Sequence, residues 1–345
     1  MILIRSGDLV VSGINAAKGA IAVYEGGDDL PIAATIHYGA YVPNKDRVSI
    51  PYLWWLLRSR FFQGLLREHV PGGIKTELKA ARLLPIPVPL PPLGEQHRLV
   101  GRVEEIAKKI EKARTLRAVA ASDSTAVTLA YLNRLFGNPY DGTAGDAPIM
   151  EWRRLAEVVD DIADGPHATP TYVEEGVPFL TVLNITSGRV EFRNHKYISL
   201  SQHAQYQRRA KAERGDVLIS KDGTIGVPCY VDTDREFSFF VSVALVKPKR
   251  GVLDGEFLTW ALRAPYLQER MKARSRGDMI RHLVLREIRE LVVPVGSLAL
   301  QRDIVSRLDR LRAEVDRLKR FQMAATAELD ALLPAILDRA FRGEL

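Results

Sequence analysis

Cysteine is all but missing from this chain of 345 residues, in which Cys229 stands alone. A single thiol excludes a disulfide framework and any zinc site built from several cysteines, and it fits a reducing compartment. Long apolar runs are missing as well, since none reaches the roughly 18 residues that a membrane span requires. Met1 to Leu30 has no basic n-region and no uninterrupted apolar h-region. No secretory signal is read there, and a cytoplasmic protein without membrane contact is expected. The absence of a GxxxxGK(S/T) phosphate loop excludes ATP-driven translocation. The seven histidines are scattered, and none pairs with carboxylates at metal-ligand spacing. These absences leave no catalytic residue, bound cofactor or metal to assign.

What the sequence does contain is charge, proline and repetition. A net charge of +7 and a pI near 9.4 lean toward a polyanionic partner. The 46% hydrophobic share is ample for cores in two or more domains. Five prolines fall within eight residues of LLPIPVPLPPLGEQHRLVGRV, residues 83 to 103, and a charged, helix-favouring run follows at once. A degenerate copy, IRELVVPVGSLALQRDIVSRL, occupies 288 to 308. A shift of 205 residues brings Trp55 onto Trp260, Arg58 onto Arg263, Gln63 onto Gln268, Leu78 onto Leu283, Pro89 onto Pro294 and Gln96 onto Gln301. LNRLF at 132 to 136 falls on LDRAF at 337 to 341, and with a slightly different offset GDLVVS at 7 to 12 matches GDVLIS at 215 to 220. This period is too long for a solenoid and reads as a duplicated domain plus its linker.

Each copy contains two kinds of structure. From Trp152 to about Lys249, short apolar runs such as PFLTVLNI, GDVLIS, VPCYV and FFVSVALVKP, broken by turns such as KDGTIG, predict an irregular β-rich domain. Short helices are expected at Glu256 to Arg276 and around Leu285. Gly94 to Phe136 and Leu298 to Phe341 hold almost no glycine or proline, and each predicts a rod of about 60 Å. In the second rod Ile304, Leu311, Leu318, Ala325 and Leu332 recur every seven residues. Leu308, Val315, Gln322, Leu329 and Ile336 interleave with them, the pattern of a coiled-coil seam with one polar interruption. The first rod carries Leu99, Val103, Ile106, Ile110, Ala113, Ala120, Val127 and Tyr131, with Arg117 and Ser124 spoiling its middle. Two rods of equal length should pair, and the linker after Gly137 permits them to run antiparallel. A kink or local unwinding is expected at Pro334.

IPVPLPPLGEQHRLV (86 to 100), the long helix behind it, the LxRxF ending and the closing FRGEL together resemble the specificity subunits of type I restriction-modification systems. Trp152 with Leu155, then DGPHATP (164 to 170) and GVPFLTVLNI (176 to 185), is similar to the opening of a target-recognition domain of that family. The resemblance covers essentially the whole chain. It implies an α+β fold with a pseudo-two-fold internal repeat: two target-recognition domains, the first truncated, separated by a pair of long antiparallel coiled-coil helices. The expected boundaries are a partial recognition domain at 1–94, a spacer helix at 95–137, a linker at 138–150, a complete recognition domain at 151–298, and a second spacer helix with its tail at 299–345. The first domain is expected to be incomplete because Trp152 to about Arg209 has no counterpart before Met1. The implied function is to read a split site in double-stranded DNA and to dock methyltransferase and restriction-translocase subunits. S-adenosylmethionine, ATP and Mg would then belong to those partners and not to this chain.

Two motifs are set aside. Asn138-Pro139-Tyr140 is similar to the tetrapeptide with which amino-methyltransferases hold a flipped adenine, but its second proline is missing and a turn accounts for it. Glu77 and Lys79 imitate the tail of a nuclease motif without its upstream acidic partner. Candidate DNA contacts are Arg270, Lys272, Arg274 and Arg276, with Arg281 and His282 beyond Gly277, as a helix leading into a basic loop. Lys221 in KDGTIG is a further candidate, as are His167 and Thr169, with Lys196, Arg193 and the 208 to 214 cluster weaker. The charges could equally line a solvated face. Lys18 and Lys75 are expected to be dispensable or to require a partner. Other readings are a coiled-coil scaffold with protein-binding modules and a self-contained DNA methyltransferase.

Overall fold

The computed structural model describes residues 1–16, 20–25, 30–69, 78–147, 150–275 and 282–345, with the backbone alone at 120–125. In chain order, strands β1 (Ile2–Ile4), β2 (Leu9–Ser12), β3 (Ile21–Val23), β4 (Ile32–Ala34) and β5 (Tyr38–Tyr41) precede helices α1 (Ile50–Arg58), α2 (Arg60–His69), α3 (Ala80–Leu83) and the long α4 (Leu93–Phe136). A small hairpin of β6 (Gly137–Asn138) and β7 (Thr143–Ala144) leads to β8 (Glu151–Arg154), β9 (Val159–Asp164), β10 (Tyr172–Val173), β11 (Val177–Leu180) and β12 (Lys196–Ile198). Then come α5 (Leu200–Gln207), β13 (Val217–Ser220), β14 (Pro228–Tyr230), β15 (Ser238–Phe239), β16 (Val243–Pro248), α6 (Gly255–Leu262), α7 (Pro265–Arg274), α8 (Leu285–Arg289), β17 (Val292–Val295) and the second long helix, α9 (Leu298–Phe341). The chain divides into two compact units, 1–121 with 320–345, and 122–319.

The larger unit is built on the sheet β14-β13-β16-β9, all antiparallel. Its strands read as continuous apolar runs because both faces are covered. Val217, Ile219, Ala244 and Val246 point into a core shared with α6, α7 and α8. Their alternating neighbours Leu218, Val243 and Leu245 point into a second core with Phe237 and Phe239. The second sheet, β10-β12-β11-β15, is antiparallel except for the parallel β11–β15 pair. The expected strand through PFLTVLNI stops at Leu180, where Thr181 and Asn184 exchange capping hydrogen bonds and turn the chain.

The smaller unit repeats part of this plan. Its sheet β3-β2-β5 has the order of β14-β13-β16. The Asp8 carboxylate accepts from Arg5 N at 2.8 Å, as Asp216 does from Glu213 N at 2.8 Å. Leu78 N donates to Gly13 O and Leu283 N to Lys221 O, each at 2.8 Å.

The two long helices pair antiparallel. In the larger unit Leu132, Leu135 and Phe136 of α4 share a core with Ile304, Val305 and Leu308 at the start of α9. In the smaller unit Val100 and Val103 cluster with Leu337, Ala340 and Phe341, and Arg114 Nη2 meets Asp330 Oδ1 at 2.7 Å. The seam departs from strict heptads. Leu318 is 48% exposed and Leu332 43%, so two expected seam residues face outward, whereas Arg312 and Lys319, on the opposite side of the expected register, are half-buried. The reason is the helix period. Between Ile304 and Ala340, both buried, a straight helix at about 3.6 residues per turn makes a whole number of turns, while a seven-residue repeat drifts by about 20° per heptad. Helix α9 continues through Pro334 to Phe341. Arg117 and Gln322, both half-buried, keep the seam polar in its middle, and the Ser124 side chain lies outside the described residues.

The proline-rich segment serves the start of the rod. Pro92 O accepts from Glu95 N and Gln96 N, opening α4. The fully buried Gln96 side chain donates to Arg47 O (2.9 Å) and Pro91 O (2.8 Å) and accepts from Ser49 N (2.8 Å). Gln301 does the same at the start of α9, donating to Val252 O (2.9 Å) and Gly296 O (2.8 Å) and accepting from Asp254 N (2.8 Å). Ser49 and Asp254 are the N-caps of α1 and α6, so each glutamine ties a long helix to the first helix of the preceding bundle.

Gln301→Leu leaves these buried groups without partners, and a loss of about 2 kcal/mol or more is expected in urea unfolding. Leu308→Ala in the same unit should cost about 2 to 5 kcal/mol. Leu318→Ala should stay within about 0.5 kcal/mol, and equal losses at Leu308 and Leu318 would contradict the observed register.

Candidate nucleic-acid interface

Three segments converge at the edge of the main sheet where β9 and β13 end and β16 begins. The first is the DGPHATP stretch, which leaves β9 at Asp164. Gly165 is required there, because a Cβ would stand 1.9 Å from the Phe239 carbonyl oxygen. The second is the KDGTIG turn after β13, in which Lys221 N donates to Ser242 O at 2.9 Å just before β16. The third is the return from α7, where His282 Nδ1 lies 2.8 Å from Asp222 Oδ1 and the next residue bonds Lys221 O. KDGTIG and the pair His282–Leu283 are distant in sequence and adjacent in space.

Asp164 is the hub of this edge. Its side chain is 5% exposed, and Lys221 Nζ, 10% exposed, sits 3.1 Å from Oδ2. Arg209 donates through Nε to the Asp164 carbonyl oxygen at 3.0 Å and through Nη2 to the carboxylate. His167 Nε2 stands 3.8 Å away. Burial alone would raise the Asp164 carboxyl, but the hydrogen bonds and charges of Arg209 and Lys221 overcome it and hold it below the ordinary carboxylate value.

The candidate cations fall into different settings. Lys221 is not free to meet a phosphate, because its ammonium is committed to Asp164. Arg274 Nη1 lies 3.1 Å from Glu287 Oε2 and is largely enclosed. The Arg270 guanidinium sits 4.8 Å over the Tyr140 ring, and Lys196 Nζ lies 4.2 Å over Tyr172. In the weaker cluster, Arg214 grips Asp234 with two bonds of 2.8 Å, and Lys211 meets Glu213 at 2.8 Å. Exposed polar surface at the convergent edge comes from His167, Thr169, Arg209 and His282, while Lys272 is exposed on α7 and Arg193 before β12. Arg276, Arg281, Lys18, Lys75 and Glu77 lie outside the described residues. Asn138-Pro139-Tyr140 forms a turn, with Tyr140 N donating to Asn138 Oδ1 at 3.0 Å.

Sequence reasoning missed Asp164 and Asp222, and it held Arg209 only as part of the weaker 208 to 214 cluster. Asp164 and Asp222 stood inside the two quoted motifs, beside the cations that drew attention. Their role as counter-charges becomes visible only when the strands bring 164, 209 and 221 together.

Residues 154–325, which include the whole of this edge, match the family described as type I restriction modification DNA specificity domain. The chain belongs to that family. Over 173 residues it is 29% identical to the EcoBI specificity subunit of Escherichia coli, covering 50% of this chain and 36% of that protein. Over 306 residues it is 19% identical to the EcoKI specificity subunit of E. coli strain K12, covering 84% and 64%. The chain thus spans less than two thirds of these relatives' length. Among solved structures, a chain from work on complex assembly and conformational transition of the type I R-M system matches at 28% identity and a TM-score of 0.79, covering 99% of this chain and 83% of that one. The HsdS subunit from Thermoanaerobacter tengcongensis matches at 26% and 0.66, covering 99% and 82%. For a specificity-family chain, a loop-bearing edge stiffened by buried charge is a setting in which side chains can be presented to a ligand at fixed positions.

Asp164→Asn leaves Lys221 buried without its counter-charge and should destabilise the fold by about 3 to 5 kcal/mol. The double variant Asp164→Asn/Lys221→Met should lose clearly less than the sum of the single changes in a double-mutant cycle. Because the Asp164 carboxyl titrates below its unfolded value of about 3.9, its contribution is complete above that pH and is lost as the pH falls through the lower folded value. The double variant should therefore show a shallower acid-induced loss of stability, and an unchanged acid profile would remove Asp164 from the role of hub.

Proposed function

We propose that this chain is the DNA-reading, non-catalytic component of a type I restriction-modification assembly. It recognises a bipartite site in double-stranded DNA and docks methyltransferase and restriction subunits, which carry S-adenosylmethionine, ATP and Mg. The observation that carries this reading is that the family match spans the domain in which DGPHATP, KDGTIG and the pair His282–Leu283 meet at one sheet edge. The net charge of +7 supports it, and the antiparallel helix pair suits a fixed spacing between two reading modules.

Within the larger unit we assign direct contact to His167, Thr169, Lys272, Arg276, Arg281 and His282. Lys221, Arg274 and Arg270 hold the supporting frame, and Lys196 extends the surface along β12. The domain boundaries given above remain part of this reading, with 151–298 as the module that reads one half-site.

The test is binding to a randomised DNA library at several salt concentrations, with methyltransferase subunits supplied. A base contact from Arg276 gives a loss of about 1 to 3 kcal/mol confined to one position on change to Ala. A phosphate contact from Lys272 gives uniform weakening and a salt slope reduced by about 0.9. Binding that is insensitive to salt and sequence would favour the scaffold reading, and retention of labelled S-adenosylmethionine by this chain alone would favour the methyltransferase reading.

A further inference from the structure

Arg263, at the end of α6, is a half-buried cation that the DNA-reading edge does not use. Its guanidinium lies 4.8 Å over the Trp260 ring and reaches the Gly188 carbonyl oxygen with Nη2 at 3.5 Å. Among the described residues no carboxylate comes within ion-pair distance of it. Asp309, the acidic group on its helix-facing side, is engaged by the Trp260 indole N–H at 3.1 Å. Burial and the neighbouring Arg312 push the Arg263 pKa down to about 10. A partly enclosed charge without an ion-pair partner is costly to keep.

Arg263 opens onto a cavity of about 480 Å³ within the larger unit, whose lining includes Arg312 and Lys319 of α9 and Ser187 of the loop after β11. Asp316, the lining carboxylate, stands 3.8 Å from Arg312, so three cations face one acid. Lys319 has no ion pair among the described residues. The loop is shaped around the guanidinium: Gly188 has a φ of +79°, and a Cβ there would stand 2.7 Å from Arg263 Nη2. The floor is apolar, from Leu132 and Val315.

We propose that this cavity binds a phosphate group, held by Arg263, Arg312 and Lys319. A phosphate brings close to two negative charges and several acceptor oxygens, which matches two guanidinium forks and an ammonium better than one carboxylate does. The cavity exceeds a bare phosphate in volume, and its apolar floor suits the organic part of a phosphate ester. The source is either a free phosphate ester or a phosphate of bound DNA.

The experiment is calorimetric titration of the full chain with inorganic phosphate and with a nucleoside monophosphate at constant ionic strength, beside Arg263→Gln and the surface double variant Arg312→Gln/Lys319→Gln. Saturable binding, weakened about tenfold or more in both variants, is expected; a tenfold change corresponds to about 1.4 kcal/mol. If DNA is the source, inorganic phosphate competes with DNA and the double variant lowers the salt slope of DNA binding by about 0.9 per lost contact. If a free ester is the source, the slope is unchanged and the monophosphate binds more tightly than inorganic phosphate. Phosphate bound no better than chloride, or equally by the parent chain and the double variant, overturns the proposal whether or not the chain reads DNA. The double variant decides the matter even if Arg263→Gln fails to fold.

Discussion

The fold depends on one side-chain amide used twice. Gln96 and Gln301 each stand at the start of a long helix, and each satisfies one N–H and two carbonyls from the chain that precedes it. A primary amide is suited to this position because it has donors and an acceptor on one planar group, whereas a carboxylate could not donate and a lysine could not accept. Because the acceptors include carbonyls of an extended segment and the donor is an N-cap residue, the amide fixes three pieces of chain at once. The prolines give the first copy a stiff approach with few N–H groups of its own to satisfy. The second copy uses β17 paired with β8 instead.

Once the rods are anchored, the main sheet can be buried on both faces. Adjacent residues of β13 and β16 enter different cores, so the strands have no solvent side on which to place functional groups. Chemistry is displaced to the strand ends, where backbone must turn and polar side chains can be satisfied. This explains why Asp164, Lys221 and Ser242 gather at one edge, and why the charge there is organised around a buried carboxylate.

Much of this was legible in the sequence, for identifiable reasons. The long helices were visible because some forty residues with almost no glycine or proline favour a single long helix, and Gln96 and Gln301 stood out as identities in the repeat. The strands GDVLIS and VPCYV were readable from apolar runs bounded by turns. The seam register was not, because a seven-residue pattern and a 3.6-residue helix agree locally and diverge over several turns, and Leu318 and Leu332 fell on the wrong side. The charge partners were also hidden. Nothing in the order of residues says that Lys221 will neutralise Asp164, or that Arg209 will join them, until the sheet sets their distances. The sequence therefore over-counted free cations at the candidate interface.

In the larger unit the ends of the long helices do not merely touch the β-rich domain. Phe136 packs edge-on against Phe257 at 5.8 Å, and Leu132, Ile304 and Leu308 belong to the same apolar cluster as Trp260 and Val246. Mechanically this makes a welded lever: a torque applied to the helix ends passes through close-packed side chains into the sheet, and so to the strand edge carrying Asp164.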